Sequence, residues 1–434
     1  MGAHVTVEVV SPATRFRAQT RVPGDKSIAH RALILGALAV GDTELGGMPD
    51  GEDVRATAEC LRKLGCELDA SGPIWRLRGS GLQAWRSPDG ALDCKNSGTT
   101  MRILTGALAG GRVSGTLIGD ASLRRRPMER VVEPLRRMGA RITATDGKPP
   151  LTIEGTPLSG FNHDLPRASA QVKTALLLAG LHASGPTTVR EPYPTRDHTE
   201  RLLTAMGARV TRADGAIRID PAGEPLRPLH LSVPGDLSSA AFFFAAAALR
   251  PGWTATVSEL GLNPSRTAVL DILREMGAEV EVRLEGDASI EPRGRVTVQG
   301  NGLRAVTLDP AQVAKAIDEI PVLLVVASQA EGVTRVAGAS ELRLKESDRL
   351  ATMSEGLRRL GVPVEETGDG IAVTGPTALQ QGRVGSAGDH RVAMALAVAA
   401  LVADGPVSID DATVASISYP AFYQDLGAAA LGGS

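Results

Sequence analysis

The sequence predicts an α/β protein of two domains, each made of three similar units in which sheets surround buried helices. Three observations predict this fold class. A chain of 434 residues is too long for one hydrophobic core and is expected to divide into domains. A helical pattern with the same ending occurs six times along the chain. Each unit also contains one helix that is apolar nearly all round, such as 172–181, which is typical of a buried helix.

The recurring ending is Leu-Gly or Met-Gly, and four of the six copies run directly into strand-like segments. Glycine just past a helix is the usual left-handed stop. The copies lie 66 to 84 residues apart, which is too long for a solenoid repeat. Each unit therefore holds two helices and several strands. The six predicted stops are Leu64-Gly65, Met138-Gly139, Met206-Gly207, Met276-Gly277, Leu360-Gly361 and Leu426-Gly427.

Two Pro-Gly-Asp breaks predict the domain boundaries. They lie at 23–25 and 234–236, and each precedes a helix-like run. Two crossings between the domains would make residues 25–234 one domain, and residues 1–24 with 235–434 the other, discontinuous domain. We expect the ligand to lie between the domains, where pockets are common.

Composition and charge exclude several classes of function. The chain has 47 Lys and Arg residues and 49 Asp and Glu residues, so it has no overall positive charge that would attract a nucleic-acid backbone. Aromatic residues are only 3%, too few for stacking on bases. No apolar run reaches the roughly 18 residues of a membrane helix, and no signal-peptide pattern opens the chain. Three cysteines without metal-type spacing indicate a reducing compartment. We expect a cytoplasmic monomer with small-molecule partners, no nucleic acid, no membrane and no metal.

The most informative stretch follows the first break. Gly24 allows a sharp turn, and Lys26 and Ser27 then fall in the first turn of a helix. Free N–H groups and the positive dipole end favour an anion there. Ser27 and Arg31 are four apart and share a helix face. The pattern predicts a phosphate or carboxylate site, and the alternative is an ordinary capped, solvated helix. The stretch argues against a nucleotide P-loop, because Asp25 stands where that loop needs glycine.

Polar residues cluster at comparable breaks in other units. Residues 96–102 start a helix with small and hydroxylic side chains, and Gly98 would allow close approach to an anion. Three arginines, 124–126, precede a proline that we expect to start a helix, and one of them could point into a cleft. Residues 169–173 open a buried helix with hydrogen-bonding groups, and 195–198 follow in the same half.

The C-terminal half places acids among cations. Asp318 and Glu319 come first, and Lys345 and Arg349 follow, four apart on one helix face with Glu346 beside them. A carboxylate among several cations can exchange protons without a metal, whereas the alternative is a salt-bridged surface helix. Residues 389–391, Asp-His-Arg, precede an apolar helix. The pattern predicts a small substrate with several anionic groups and acid–base chemistry without a cofactor.

These motifs, in this order, resemble the family of 5-enolpyruvylshikimate-3-phosphate synthases. The match runs nearly end to end, and its segments are 23–27, 96–102, 126–127, 169–171, 344–349, 389–391 and 419–420. The resemblance implies two domains, each of three βαβαββ units around buried parallel helices, an inside-out α/β barrel. It also implies a reaction without a cofactor, in aromatic amino-acid biosynthesis. The 5-hydroxyl of shikimate 3-phosphate attacks phosphoenolpyruvate, which is protonated at its methylene, and the tetrahedral adduct loses phosphate.

The resemblance also implies site residues. Asp318 would be the base on the hydroxyl, Glu346 the proton carrier at the methylene, and Lys26 a further catalytic residue. Asn96 and His390 would support the site. The residues that would hold shikimate 3-phosphate are Lys26, Ser27, Arg31, Ser169, Ala170, Gln171, Arg196, Asp318 and Lys345. Those that would hold phosphoenolpyruvate are Lys26, Gly98, Arg126, Gln171, Arg349 and Arg391. Domain closure would expel water from both.

The chain departs from part of the family at a few of these positions. Ala170 stands where some members have serine, and Arg196 takes the role of a tyrosine. These features resemble a branch noted for glyphosate tolerance. Such members often carry alanine where this chain has Gly98, and the methyl group would crowd a phosphonate in the phosphoenolpyruvate site. We therefore expect this protein to be sensitive to glyphosate.

Two rival functions stay open at this point. The related transferase that acts on UDP-N-acetylglucosamine usually has a cysteine in the loop corresponding to 119–126. That loop has none here, and Cys94 lies too early. A non-catalytic protein that binds phosphorylated metabolites would use the cations, but Asp318 and Glu346 would then have no task. Glutamine in place of Glu346 separates an enzyme from such a binder.

Overall fold

A computed structural model describes residues 6–81, 83–286 and 290–431. The chain divides into two compact units. The first, here the middle domain, is Gly24–Val233. The second, here the split domain, joins Met1–Pro23 to Pro234–Ser434. No helix in the described ranges is long and apolar enough to span a bilayer.

Helices and strands alternate in both domains. The helices are α1 (Lys26–Leu38), α2 (Glu52–Lys63), α3 (Gly98–Ala109), α4 (Glu129–Arg137), α5 (Ala170–Leu181), α6 (His198–Ala205), α7 (Leu237–Ala248), α8 (Ala268–Glu275), α9 (Pro310–Lys315), α10 (Ile320–Ala327), α11 (Arg349–Arg359), α12 (His390–Ala400) and α13 (Phe422–Leu431). The strands are β1 (Val7–Val10), β2 (Arg17–Thr20), β3 (Val40–Gly46), β4 (Glu67–Asp69), β5 (Ile74–Ser80), β6 (Leu92–Asp93), β7 (Ser114–Ile118), β8 (Arg141–Thr145), β9 (Lys148–Glu154), β10 (Asn162–Asp164), β11 (Thr187–Arg190), β12 (Val210–Ala213), β13 (Ala216–Ile219), β14 (His230–Ser232), β15 (Thr254–Gly261), β16 (Glu279–Glu285), β17 (Arg293–Gln299), β18 (Thr307–Leu308), β19 (Gly332–Val336), β20 (Val364–Glu366), β21 (Ile371–Gly375), β22 (Gly382–Gly385) and β23 (Val407–Asp410).

The described strands form six small sheets, three in each domain, and five of them share one design. In these five, a parallel pair is extended by two antiparallel strands. The middle domain holds β14-β3-β5-β4, β6-β7-β9-β8 and β10-β11-β13-β12. The split domain holds β16-β17-β15-β2, β18-β19-β21-β20 and the three-stranded β1-β23-β22. The N-terminal strands β1 and β2 thus pair with strands of the C-terminal half.

Three of the described helices in each domain are buried nearly all round, which agrees with the prediction of one buried apolar helix in each unit. In the middle domain these are α1, α3 and α5, and in the split domain α7, α10 and α12. They are rich in Ala, Leu and Val and carry no charged face, so they gain most free energy when water is excluded from every side. Gly106 brings α3 close to α5, because a Cβ there would lie 2.1 Å from Ala175 O.

Five of the six predicted glycine stops are confirmed. Their glycines have φ values between 86° and 106°, a conformation that glycine adopts without steric cost. The sixth prediction, at Leu426-Gly427, is wrong, because both residues lie inside α13. Three alanines follow Gly427, and alanine is the strongest helix former, so the helix continues through the glycine.

Three histidines of the middle domain should make its stability depend on pH. Burial, together with nearby Lys26 and Arg31, lowers the pKa of His30 well below 6.5, and burial lowers the pKa of His163 and His182 to about 4. Below pH 6.5 the unfolded chain binds protons that the folded chain excludes, so acid favours unfolding.

We expect the melting temperature to fall as the pH decreases from about 6.5 towards 4. The slope is at most about 1.4 kcal/mol per pH unit for each histidine. Thermal unfolding followed by circular dichroism at several pH values measures it. Replacing His163 by glutamine should flatten the curve, while the same change at His230, whose side chain is 70% exposed, should not. Equal slopes in both variants would contradict this account.

Candidate active site

The first cluster of predicted site residues surrounds the start of α1 in the middle domain. Asp25 is the N-cap, and its carboxylate accepts a hydrogen bond of 2.9 Å from the N–H of Ile28. Lys26 and Ser27 are therefore the first two residues of the helix, as the sequence predicts. The Lys26 ammonium lies 3.0 Å from Asp53 Oδ2. This ion pair holds a cation at the helix end that already favours an anion.

Arg31 is buried one turn further along α1 and is held by oxygens from separate segments. Its guanidinium donates to Thr199 Oγ1 at 2.8 Å, to Thr174 Oγ1 at 3.0 Å and to Ser27 O at 2.9 Å. A longer contact of 3.4 Å reaches Ala170 O. These oxygens carry no formal charge, so they orient the guanidinium without neutralising it.

Arg196 reaches the same helix start from the loop between β11 and α6. Its NH1 group donates to Ser27 Oγ at 3.0 Å. Ser27 therefore accepts hydrogen bonds from two cations, Arg31 at its backbone carbonyl and Arg196 at its hydroxyl, and Lys26 is its neighbour in the chain. Such a set of cations fits a phosphate or carboxylate group of a small ligand.

Gln171 connects the starts of α3 and α5. Its Nε2 donates to Thr99 Oγ1 at 2.9 Å, and its Oε1 accepts from Arg102 NH1 at 2.6 Å. Ser97 and Ser169 are the N-caps of the two helices. Two further helix N-termini, each with a positive dipole end, therefore lie beside the Gln171 amide.

Gly98 is the first residue of α3 and lies against two guanidinium groups. A Cβ at this position would lie 2.8 Å from Arg102 NH1 and 3.3 Å from Arg126 NH1. The first distance is shorter than real Cβ contacts, so any larger residue must displace the Arg102 side chain. Glycine thus lets two cations approach the start of a helix closely.

Arg126 is the buried member of the three consecutive arginines, while Arg124 and Arg125 are exposed. It donates from NH2 to Asn96 Oδ1 at 2.7 Å and from NH1 to Asn96 O at 3.2 Å. Asn96 in turn donates to Asp120 Oδ2 at 2.7 Å. Two predicted residues, Asn96 and Arg126, are therefore direct partners near Gly98.

The predicted helix start at Pro127 is wrong. The helix α4 begins at Glu129, and Met128 is its N-cap residue. The N–H of Met128 donates to Gly147 O at 2.7 Å. This contact ties the segment to a neighbouring turn, so the helix begins only after it.

A chain of buried hydroxyl groups in the middle domain was missed by sequence reasoning. His30 Nδ1 lies 2.7 Å from Thr57 Oγ1, which lies 2.7 Å from Thr100 Oγ1. Thr100 donates to Ser97 Oγ at 2.7 Å. The chain links α1, α2 and the start of α3. Threonine at an apolar helix position gave too weak a signal to find it.

Arg349 is the centre of the second cluster, in the split domain. Its side chain is 2% exposed, and its Nε, NH2 and NH1 lie 2.8, 2.7 and 3.3 Å from carboxylate oxygens of Asp389, Glu346 and Asp318. Burial lowers its pKa, but the three carboxylates, Asp389 foremost, outweigh that effect and raise the pKa above its ordinary value. Arg349 is therefore a permanent cation that orients two predicted catalytic acids.

The predicted helix face shared by Lys345 and Arg349 is wrong. Lys345 and Glu346 lie in a turn, and α11 begins only at Arg349. Asp348 is the N-cap, with a carboxylate that accepts a backbone hydrogen bond from the helix, and such a residue starts a helix after itself. Glu346 reaches Arg349 from this turn, so the surface-helix alternative is also wrong.

The start of α12 completes the second cluster. Asp389 is the N-cap and accepts a hydrogen bond of 2.9 Å from the N–H of Arg391. Arg391 NH1 donates to Asp318 O at 3.3 Å, and its Nε lies 3.8 Å from Asp318 Oδ1. His390 is buried in the first turn. Asp318 thus lies between two cations, Arg349 and Arg391.

A further group of polar side chains surrounds Glu319, the residue after Asp318. The buried Glu319 accepts a hydrogen bond from the Ser238 hydroxyl at the start of α7. Arg266 NH2 donates to Ser238 Oγ at 2.7 Å and to Asp236 Oδ1 at 2.8 Å. The Asp318-Glu319 pair and the Pro-Gly-Asp break before α7 are visible in the sequence, whereas the contacts of Arg266 are not.

The two clusters offer different chemistry. The middle domain gathers cations and helix N-termini, which bind anionic groups. The split domain holds two partly exposed carboxylates on one buried guanidinium, with side-chain exposures of 15% for Asp318 and 17% for Glu346. Carboxylates held in this way can transfer protons to and from a bound ligand.

Comparison with known proteins identifies relatives over nearly the whole chain. The family model described as EPSP synthase (3-phosphoshikimate 1-carboxyvinyltransferase) matches residues 10–426. A 3-phosphoshikimate 1-carboxyvinyltransferase from Herpetosiphon aurantiacus is 48% identical over 421 residues, 96% of this chain and 98% of that protein. These matches show the family.

Solved structures agree with this assignment. An EPSP synthase from Acinetobacter baumannii superposes with a TM-score of 0.86 at 40% identity and covers 98% of both chains. An enolpyruvyl transferase from Streptomyces tendae shares the fold, with a TM-score of 0.78 at 20% identity, over 97% of this chain and 96% of that one. The predicted fold class is confirmed.

Proposed function

The chain belongs to the EPSP synthase family, and from this premise we propose that it is a 3-phosphoshikimate 1-carboxyvinyltransferase. It transfers the enolpyruvyl group of phosphoenolpyruvate to the 5-hydroxyl of shikimate 3-phosphate and releases phosphate. The observation that carries the proposal is the buried Arg349, which holds Glu346 and Asp318 at 2.7 and 3.3 Å. A protein that only binds phosphorylated metabolites has no use for two acids oriented in this way.

The cations of the middle domain would bind the anionic groups of the substrates. Ser27, Arg31 and Arg196 share hydrogen bonds around the start of α1, which supports their proposed role at shikimate 3-phosphate. Ser169, Ala170 and Gln171 at the start of α5, with Lys345 and Asp318 of the split domain, complete that proposed set. Lys26, whose ammonium lies 3.0 Å from Asp53 Oδ2, would contact both substrates, as the family resemblance implies.

Phosphoenolpyruvate would be held by cations that lie close to backbone N–H groups. Gly98 and Arg126 supply such a pair at the start of α3. Arg349 directs three of its five donors at carboxylates, and we propose that the other two, with Arg391, contact this substrate. Preorganised cations stabilise the charge that moves to the departing phosphate.

Asp318 and Glu346 would divide the proton transfers. Asp318, between Arg349 and Arg391, would take the proton of the attacking 5-hydroxyl. Glu346 would deliver a proton to the methylene carbon of phosphoenolpyruvate and remove one when the tetrahedral adduct collapses. The hydrogen bond to Arg349 keeps the Glu346 carboxyl in one orientation for both steps. The net result is one C–O bond formed to the 5-oxygen and one C–O bond to phosphate broken. The hydroxyl proton taken by Asp318 leaves with the phosphate, and Glu346 regains the proton that it gave.

The alternative acceptor, UDP-N-acetylglucosamine, has less support. The relatives that match over nearly the full length carry the name 3-phosphoshikimate 1-carboxyvinyltransferase. The loop at 119–126 also has no cysteine. A cytoplasmic location and a monomeric state stay predictions.

One assay tests the proposed function. Phosphate release from phosphoenolpyruvate should depend on shikimate 3-phosphate and should not occur with UDP-N-acetylglucosamine. Release with the nucleotide sugar alone would overturn the assignment. Tight binding of shikimate 3-phosphate without any phosphate release would favour the non-catalytic binder.

Gly98→Ala should weaken the binding of phosphoenolpyruvate and of glyphosate. The new methyl group would lie 2.8 Å from Arg102 NH1, so this side chain and its hydrogen bond to Gln171 must move. Overpacking of this kind costs about 1–3 kcal/mol, which corresponds to a rise in KM for phosphoenolpyruvate of roughly 5-fold to 150-fold. Steady-state kinetics with and without glyphosate measure both effects.

The wild-type protein is the reference for this prediction, and we expect glyphosate to inhibit it. A matched control is Gly72→Ala, because a Cβ at Gly72 meets no atom within 4 Å. Full wild-type turnover in millimolar glyphosate at low phosphoenolpyruvate would contradict the expected sensitivity. An unchanged KM in the Gly98 variant would contradict the crowding at this helix start.

A further inference from the structure

Lys173 is a buried cation that the proposed mechanism does not use. It lies in the first turn of α5, and its side chain is 1% exposed. Its ammonium lies 2.9 Å from Glu191 Oε2, 3.0 Å from Glu200 Oε1 and 3.4 Å from Thr195 O. An ammonium has three N–H donors, so these three oxygens match its full capacity. A group so costly to bury needs such partners to be tolerated.

The partners of Lys173 lie on both sides of Arg196 in the chain. Glu191 lies just after β11, and Glu200 lies in the first turn of α6. The Glu191 carboxylate also accepts hydrogen bonds from the backbone N–H and the hydroxyl of Thr195, at 3.3 and 2.5 Å. Lys173 and Glu191 therefore hold Thr195 by its backbone and by its side chain.

Exposed residues form the connection between Glu191 and Thr195. Residues 192–194 are Pro-Tyr-Pro and are exposed, and the segment contains no helix or strand. Its far end is held by Asp197, whose carboxylate lies 3.0 Å from Arg201 Nε and 3.5 Å from Arg212 NH2. Arg196 stands between the two anchored residues, with its NH1 group on Ser27 Oγ.

We propose that Lys173 is a positioning residue for shikimate 3-phosphate, which acts by fixing the 191–197 segment so that Arg196 reaches the ligand beside Ser27. This inference rests on the proposed function. Lys173 itself is buried behind the segment and touches neither substrate in this account. Its effect passes through the Thr195 carbonyl, which is one peptide unit from Arg196.

Lys173→Met tests the proposal, because methionine keeps much of the length and the apolar stem but removes the ammonium. We expect shikimate 3-phosphate to bind roughly ten-fold to a hundred-fold more weakly in isothermal titration calorimetry, since a misplaced binding group costs about that much. The KM for phosphoenolpyruvate at saturating shikimate 3-phosphate should stay unchanged. The same substitution in an Arg196→Ala background should have no further effect on binding, because both act through one contact.

Two controls keep the outcome decisive. Glu191→Gln tests the same proposal if the Lys173→Met variant does not fold. It removes one charge but keeps an oxygen for the ammonium, so we expect a smaller loss of affinity for shikimate 3-phosphate. Leu178→Ala, in the buried part of the same helix, should lower the melting temperature but leave the affinity unchanged. Wild-type affinity for shikimate 3-phosphate in both Lys173→Met and Glu191→Gln would overturn the proposal. The proposal would also be overturned if Lys173→Met weakened binding in the Arg196→Ala background as much as it does in the wild type. A wild-type protein without phosphate release would instead refute the proposed function.

Discussion

Replacing Glu346 by glutamine is expected to lower kcat by roughly 10²–10⁴-fold, the usual contribution of a general acid–base group. Glutamine has the same shape and can still accept the hydrogen bond that Arg349 donates at 2.7 Å. It cannot carry a proton to the methylene carbon. The fold should therefore persist, and the affinity for shikimate 3-phosphate should change little. Phosphate release under saturating substrates measures kcat, and calorimetry measures the affinity.

The control for this prediction lies in the adjacent helix. Glu355 forms an exposed i,i+4 ion pair with Arg359 on α11, and its side chain is 65% exposed. Glu355→Gln should leave kcat unchanged, because exposed pairs of this kind contribute little. If Glu346→Gln keeps turnover within a few-fold of the wild type, Glu346 is not the proton carrier.

Arg349→Met is expected to destabilise the split domain by about 3–5 kcal/mol, the usual result of removing one partner of a buried ion pair. Methionine fills the space but leaves the carboxylates of Asp389, Glu346 and Asp318 without their shared cation. Asp389 is fully buried, so its charge has no access to water. Turnover should be lost with stability, because both catalytic acids lose their orientation.

Calorimetric unfolding distinguishes the two domains if they melt separately. In the Arg349→Met variant, the transition of the split domain should occur at a lower temperature than in the wild type. Arg359→Met is the matched control, since this arginine is exposed and its ion pair with Glu355 lies at the surface. Its melting temperature should stay near that of the wild type. An Arg349→Met protein with unchanged stability would show that the three carboxylates do not depend on this cation.

Features set by neighbouring residues could be predicted from the sequence. The start of α1 is one example, because Asp25, Lys26 and Ser27 act within a single helical turn. The six buried helices are another, since their apolar character is visible along the chain. The six-fold repeat and the apolar helices predict the fold class, and the reaction follows from the resemblance to a family with several specific motifs.

Features that depend on distant segments or on competing local signals could not be predicted. Arg349 draws its partners from residues 31 and 40 positions away as well as from Glu346, and spacing gives no sign of this. The prediction that Lys345 shares a helix face with Arg349 is wrong, because Asp348 is the N-cap and the helix begins only after it, at Arg349. Lys173 resembled an ordinary polar residue at a helix start, although the fold buries it among three oxygens.

Deuterium incorporation tests the central claim most directly, namely that the chain performs an addition–elimination reaction with proton transfer at the methylene carbon. The wild-type protein would convert phosphoenolpyruvate and shikimate 3-phosphate to product in heavy water, and mass spectrometry would measure the label. In heavy water the Glu346 carboxyl carries deuterium, and its transfer to the methylene carbon makes a methyl group with one deuterium. Loss of a hydrogen from this methyl group restores the methylene and leaves the label there. The account predicts deuterium in the enolpyruvyl methylene of the product. Product without deuterium at that carbon would contradict it.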